Sequence, residues 1–249
     1  MMAWLDIAWP DPLVAAGPRI RWATAPGTDG VSLCLVNLDD AGWDGLAERT
    51  DAVLSAAEKA RAERFRRPGL GERYRRGRHL LRALLARQLS EPACGLVMVE
   101  GAHGKPSLAH ASGMQFNLSH SGAWALIAIG GQHPLGVDIE GRSAFHHLDE
   151  VAKRVMTPLE FACHLATPLA LRPQGFLRTW TRKEACLKAL GTGFHVEPSL
   201  LDLHTSGTAA AQGSCCLPVD GRSHHLHWAD IPLPEACDAM ACWAWTPSD

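Results

Sequence analysis

Two short segments constrain this chain more than its composition does. In GVDIEGR (Gly136–Arg142) and the Leu135 before it, the apolar residues Leu135, Val137 and Ile139 alternate. This predicts a strand whose opposite face carries Asp138 and Glu140 side by side. In FLRTWTRKEACLKALGTG (Phe176–Gly193), helix formers run from Phe176 to Leu190, and Gly191 suits a left-handed helix stop. Trp180, Glu184 and Lys188 are spaced i, i+4, i+8, which places them along one face of that helix.

Three carboxylates offer hard oxygen ligands of the kind Mg²⁺ takes, and such an ion commonly completes its shell with water and substrate phosphate oxygens. A phosphate-bearing substrate is therefore expected, with Lys188 as a mobile charge beside it. The same residues also read as a solvated strand face and an ordinary i, i+4 ion pair. A third segment favours the chemical reading. Gly104-Lys105-Pro106 precedes FNLSHSG (Phe116–Gly122), which reads as a polar turn between two strands and is followed by the apolar run Ala123–Ile129. The serines, His120 and the backbone amides of that segment are donors suited to phosphate oxygens.

Global properties set bounds. At 249 residues and 47% hydrophobic content, the chain is long enough for one large domain or two small ones, each with a packed core. No apolar stretch reaches about 18 residues, and MMAWLDIAWPDP lacks a positive flank, so no membrane span or secretory signal is expected, and the location is expected to be cytoplasmic. The 8 cysteines include no C-x-x-C pair, which argues against zinc-ribbon and thioredoxin-like readings; most are expected to be reduced and buried. His146-His147 and the group His224, His225 and His227 read as solvated histidines rather than a metal site. Net charge is only −2, yet eleven Lys/Arg face three Glu within Glu58–Arg87. That stripe resembles a footprint for a polyanion, whether nucleic acid, ligand phosphates or an acidic protein, and part of it also reads as a solvated helix face. Nucleic acid is disfavoured because only Phe65 and Tyr74 supply aromatic rings there and the rest of the chain is mildly acidic.

Along the chain, the Pro- and Gly-rich Trp4–Gly30 reads as a surface wrap and Val31–Leu38 as the first strand. Helices are expected over Ser55–Arg66 and Gly71–Leu89, and strands over Leu96–Glu100, Gln115–Leu118 and Trp124–Ile129. A second half starts near His133 with the carboxylate strand. It continues through a helix over Phe145–Arg154, a helix start at Thr157 with Glu160 three residues on, and a loop over Leu169–Gln174. Strands follow at His225–Ile231 and Ala239–Trp245; Trp180, Trp228, Trp243 and Trp245 read as core anchors.

Taken in order, GKP, FNLSHSG, GVDIE and W-T-R-K-E-A-x-x-K-A resemble the 4′-phosphopantetheinyl transferases, in particular the larger two-lobed kind similar to the surfactin synthetase activator. The resemblance covers most of Leu54–Gly193. It implies an α+β fold of two similar lobes related by a pseudo-twofold axis, here residues 1–132 and 133–249, with coenzyme A bound between them. It also implies a Mg²⁺-dependent enzyme that moves the phosphopantetheine arm of coenzyme A onto a serine of an acidic apo acyl- or peptidyl-carrier protein, releasing 3′,5′-ADP. Carried over by residue, it makes Asp138, Glu140 and Glu184 the metal ligands and puts Lys188 by the reacting phosphate. Lys105, Ser119, His120 and Arg73 would contact coenzyme A, with Arg61 near the 3′-phosphate. Ile139 adds no ligand between the two strand carboxylates. Glu184, directly or through a metal-bound water, is the expected base for the serine proton. A monomer is expected. The same carboxylates leave two other readings open: a Mg²⁺-dependent phosphohydrolase acting on a nucleotide or coenzyme A, and a non-catalytic carrier-protein or nucleotide-binding module.

Overall fold

A computed structural model describes residues 2–8, 17–25, 30–110, 113–142, 147–203 and 210–247. The chain adopts an α+β fold organised around two antiparallel sheets. The first contains β1 (Leu5–Ile7), β2 (Ile20–Thr24), β3 (Val31–Asn37), β6 (Phe116–Ser121) and β7 (Trp124–Gly130), in the order β1-β2-β3-β7-β6. The second contains β8 (Leu135–Gly141), β9 (Gln212–Val219), β10 (Arg222–Asp230) and β11 (Ala239–Trp245), in the order β8-β11-β10-β9. A small ribbon pairs β4 (Met98–Glu100) with β5 (Pro106–Leu108).

The helices are α1 (Ala47–Val53), α2 (Ala56–Glu63), α3 (Leu70–Leu89), α4 (Leu148–Val155), α5 (Pro158–Ala166) and α6 (Arg172–Leu190). Ser55 and Thr157 each head a helix with a reciprocal capping box, to Glu58 and Glu160, and so satisfy amide groups that the first turn leaves unbonded. No described helix is long and apolar enough to cross a membrane.

The elements stack in four layers. Cys34, Val36, Ile127 and Ile129 pack against Leu80, Leu81, Leu84 and Leu85 of α3. From the other face of the same sheet, Leu33, Leu35, Leu126 and Ala128 pack against Leu135, Val137, Ile139, Ala241 and Trp243 of the second sheet. Beyond that sheet, Cys215, Leu217, Leu226, Trp228 and Cys242 pack against Ala185, Cys186, Leu187 and Ala189 of α6. The order is thus helix, sheet, sheet, helix. Both faces of β3 and β7 are covered, which is why each reads as a continuous apolar run rather than an alternating one.

Four sequence expectations are corrected. Trp4–Gly30 is not only a wrap, because β1 and β2 form there and extend the first sheet. The segment Asn117–Ser121 is strand rather than turn; the chain reverses at Gly122, whose φ of 57° suits a residue without a side chain. Helix α6 starts at Arg172, within the expected loop, since Pro173 lies in the first turn where a missing N–H costs nothing. Helix α4 starts at Leu148; Phe145 and His146 lie outside the described residues.

Strands β6 and β8 are both edges of their sheets, and they meet. Side chains at alternate positions of β6 receive the outward N–H groups of β8. Val137 N–H donates to Asn117 Oδ1 at 3.0 Å, Ile139 N–H to Ser119 Oγ at 3.4 Å and Gly141 N–H to Ser121 Oγ at 3.1 Å. On its other side, Gly136 brings β8 directly under α6. A Cβ at Gly136 would sit 2.2 Å from Ala185 O and 2.4 Å from Ala189 N. Gly136→Ala is therefore expected to push α6 off the sheet and cost about 3 kcal/mol in guanidinium unfolding. Gly45→Ala, where an added Cβ meets nothing, serves as the control and is expected within about 0.5 kcal/mol of the parent.

Candidate active site

Helix α6 lies along β8 so that its half-buried residues Trp180, Glu184 and Lys188 fall on the side of the strand carboxylates. Trp180 Nε1 donates to Glu140 Oε1 at 3.3 Å. Two turns on, Lys188 Nζ donates to Asp138 Oδ1 at 2.6 Å and to Ser119 Oγ at 3.0 Å. From β6, Ser119 Oγ donates to Asp138 Oδ1 at 2.8 Å and Ser121 Oγ to Glu140 Oε2 at 2.9 Å. Three elements thus meet at the carboxylates. Ile139 points the other way, into the core between the sheets.

The charges are concentrated and poorly compensated. Asp138 is 2% exposed, and its Oδ2 is buried without a hydrogen-bond partner, as is Glu184 Oε1. Burial raises the Asp138 carboxyl above its usual range, against the pull of Lys188. Burial and then the Asp138 charge raise Glu140. The Glu184 carboxyl is pushed up to about 7, chiefly by burial; Lys188 opposes the rise while Asp138 and Glu140 add to it. The three carboxylates therefore feel one another.

Among the described residues, no three His, Cys, Asp or Glu side chains already stand at metal-ligand spacing. This holds for His224, His225 and His227 as well as for the carboxylates. The carboxylate donor set nonetheless fits a hard divalent cation. It offers oxygen ligands only, and two of those oxygens are buried without a partner, so desolvation would be offset by an ion.

Lys188 and Ser119 also form the floor of a cleft of about 750 Å³. Arg61, Arg73, Arg78 and Arg82 line it from α2 and α3, His120 from β6, Leu96 and Val97 from the segment leading into the ribbon, and Met98 from the ribbon itself. The alternation of β6 explains the division: Asn117, Ser119 and Ser121 address β8, while Phe116 and Leu118 join the α3 core and His120 reaches the cleft. Desolvation, and next the Lys188 charge, lower the pKa of His120. Arg61 lies 5.5 Å from the Tyr74 ring centroid and 3.4 Å from Glu100 Oε1. Arg73 Nε donates to Asp39 Oδ1 at 2.9 Å. Arg78 and Arg82 are held by buried Glu58, at 2.6 and 2.8 Å, and are committed to the wall.

Of the expected site residues, Asp138, Glu140, Glu184, Lys188 and Ser119 converge, and Arg61, Arg73 and His120 line the adjoining cleft. Lys105 is the exception. Its Nζ donates to Leu135 O at 2.9 Å and Ala189 O at 2.8 Å, tying the ribbon to the end of α6, and burial pushes its pKa down to about 8. Its neighbours Gly104 and Pro106, rather than its own side chain, line the cleft. Sequence reasoning missed the positioning roles of Asn117, Ser121 and Trp180. The signals were present, as period-two spacing along β6 and the shared helix face with Glu184, but the first was read as a turn and the second as core packing.

Comparison with known proteins finds one family over part of the chain. A profile described as the 4′-phosphopantetheinyl transferase superfamily matches residues 134–234, the segment that holds β8 and α6. The chain is 37% identical over 145 residues to the 4′-phosphopantetheinyl transferase HetI of Nostoc, covering 57% of this chain and 61% of that protein. It is 27% identical over 167 residues to the 4′-phosphopantetheinyl transferase Sfp of Bacillus subtilis, covering 66% and 73%. To the human L-aminoadipate-semialdehyde dehydrogenase-phosphopantetheinyl transferase it is 28% identical over 214 residues, covering 78% and 63%. The chain thus spans about three fifths of the length of the HetI protein. The carboxylate strand and the helix that lies along it fall inside the matched region, and over that region the chain is similar to the 4′-phosphopantetheinyl transferase superfamily, Sfp included.

Proposed function

We propose that the chain transfers the 4′-phosphopantetheine group of coenzyme A to a serine of an acyl or peptidyl carrier protein, releasing 3′,5′-ADP. The observation that carries this reading is the grouping of three carboxylates around Lys188, which itself lines an arginine-lined cleft. Asp138, Glu140 and Glu184 would hold Mg²⁺, which when bound supplies charge neutralisation at the diphosphate. Ser119 fixes one oxygen of Asp138 and leaves the other for the ion.

The chain's own residues do the remaining work. Lys188 offsets the negative charge that gathers on the departing 3′,5′-ADP. Arg61, Arg73 and His120 hold nucleotide phosphates in a cleft of a size suited to such a ligand. Glu184, beside the other two carboxylates, receives the proton of the attacking serine hydroxyl. Residues 1–132 would supply the nucleotide contacts and 133–249 the carboxylates. The basic stripe of α2 and α3 suits an acidic carrier protein.

Incubation with coenzyme A, Mg²⁺ and a panel of apo carrier proteins is expected to add the phosphopantetheine mass to a carrier serine, read by intact mass. Asp138→Ala is expected to lower kcat/KM by about a hundredfold or more. Hydrolysis of coenzyme A with water as the acceptor would overturn the reading in favour of a phosphohydrolase. Function retained in Asp138→Ala would mark a binding module.

The raised carboxyl pKa values give a second test. A carboxyl whose folded pKa lies above its unfolded value loses folding stability as pH rises through the interval between them, here from about 4.5 to about 7 for Glu184. Mg²⁺ binding relieves that loss, so millimolar Mg²⁺ is expected to raise Tm more at about pH 8 than at about pH 5. An equal effect at both would argue against these ligands.

Lys105 separates a structural role from a substrate contact. Lys105→Met leaves two carbonyls without their donor and is expected to cost about 1–3 kcal/mol of stability. The KM for coenzyme A is expected to stay within about twofold, whereas Arg73→Ala is expected to raise it about tenfold.

A further inference from the structure

Strand β9 is the outer edge of the second sheet, and alternation along it sends neighbouring cysteines to opposite faces. Cys215 faces α6, where its Sγ lies 3.9 Å from that of Cys186 in the core. Cys216 faces the other way and is exposed. Directly across the antiparallel pair with β10 stands His225, also exposed. Its Nδ1 lies 3.1 Å from Cys216 Sγ, while Nε2 is 4.0 Å away, so Nδ1 is the ring atom that meets the thiol. The register of two paired strands sets this contact, so it does not depend on a loop conformation.

The other cysteines lack this combination. Cys34, Cys186, Cys215, Cys237 and Cys242 are buried, and Cys163 is half-buried. Burial pushes the thiols of Cys34, Cys237 and Cys242 up, which suppresses the reactive thiolate. Cys94 is exposed at the wall of the cleft and has no imidazole partner among the described residues. Exposure together with an adjacent base is found among the described thiols at Cys216, on a face remote from the cleft lining.

We propose that Cys216 is the reactive thiol of this protein and a site of reversible S-thiolation by low-molecular-weight disulfides, with His225 as its base. His225 Nδ1 takes the Cys216 S–H proton. The thiolate attacks one sulfur of the disulfide; the new bond joins Cys216 Sγ to that sulfur, and the old sulfur–sulfur bond breaks. The second half of the disulfide leaves as a thiolate and takes the proton from the imidazolium. Cys216 is oxidised and the released thiol is reduced, so the step balances with the disulfide as the oxidant. The inference is independent of the transferase reading.

The test uses the folded, full-length protein, with 5,5′-dithiobis(2-nitrobenzoate) for kinetics and oxidised glutathione for intact-mass mapping. One fast thiol phase is expected, together with a first glutathione adduct on the peptide that holds Cys216. Cys216→Ser is expected to remove the fast phase, and Cys94→Ser to leave it. His225→Gln removes the proton acceptor beside the thiol and is expected to slow the phase by about threefold or more with the thiol count unchanged. A fast phase that survives Cys216→Ser, or an unchanged rate in a folded His225→Gln protein, would overturn the proposal.

Discussion

An edge strand carries a row of N–H groups that must find acceptors, and in β8 those of Val137, Ile139 and Gly141 find them in side chains rather than in another strand. Asn117, Ser119 and Ser121 stand at alternate positions of β6 and do this for the three groups in turn. The same two serines then donate to Asp138 and Glu140. One set of short polar side chains therefore joins the sheets and aims the carboxylates. Had the edges paired by backbone alone, the sheets would be continuous, and the hydroxyls would have no reason to point at the acids.

The second constraint is closeness. A helix approaches a strand only as near as the intervening side chains permit, and Gly136 removes the one that would stand under Ala185 and Ala189. The approach puts Lys188 against Asp138 and Trp180 against Glu140. It also excludes water, which is why the acid groups resist ionisation. The strain of holding like charges together is carried by a well-packed surrounding layer in which Ala185, Cys186 and Leu187 are buried.

Much of this is legible in the sequence itself. The alternation around Asp138 and the i, i+4, i+8 spacing on α6 are properties of single elements, and local periodicity reports them directly. The cap at Thr157 was likewise local. What escaped depended on partners distant in sequence. The polar residues of β6 look like a turn because their acceptor role exists only when β8 lies alongside. Lys105 sits in a motif beside the cleft, but its flexible stem turns to two carbonyls that belong to β8 and α6. The start of α6 was obscured by Pro173, which marks a break in the middle of a helix and is harmless in its first turn.

The four-layer stack has a bearing on how the polypeptide is made. The first sheet is complete once β7 has emerged at Gly130, yet Leu33, Leu35, Leu126 and Ala128 on its inner face await cover from β8 and β11. The last of those strands begins at Ala239, over a hundred residues later. A nascent chain thus carries an uncovered greasy surface through much of its synthesis, a stage at which ribosome-associated chaperones matter more for this architecture than for one that buries its core helix by helix.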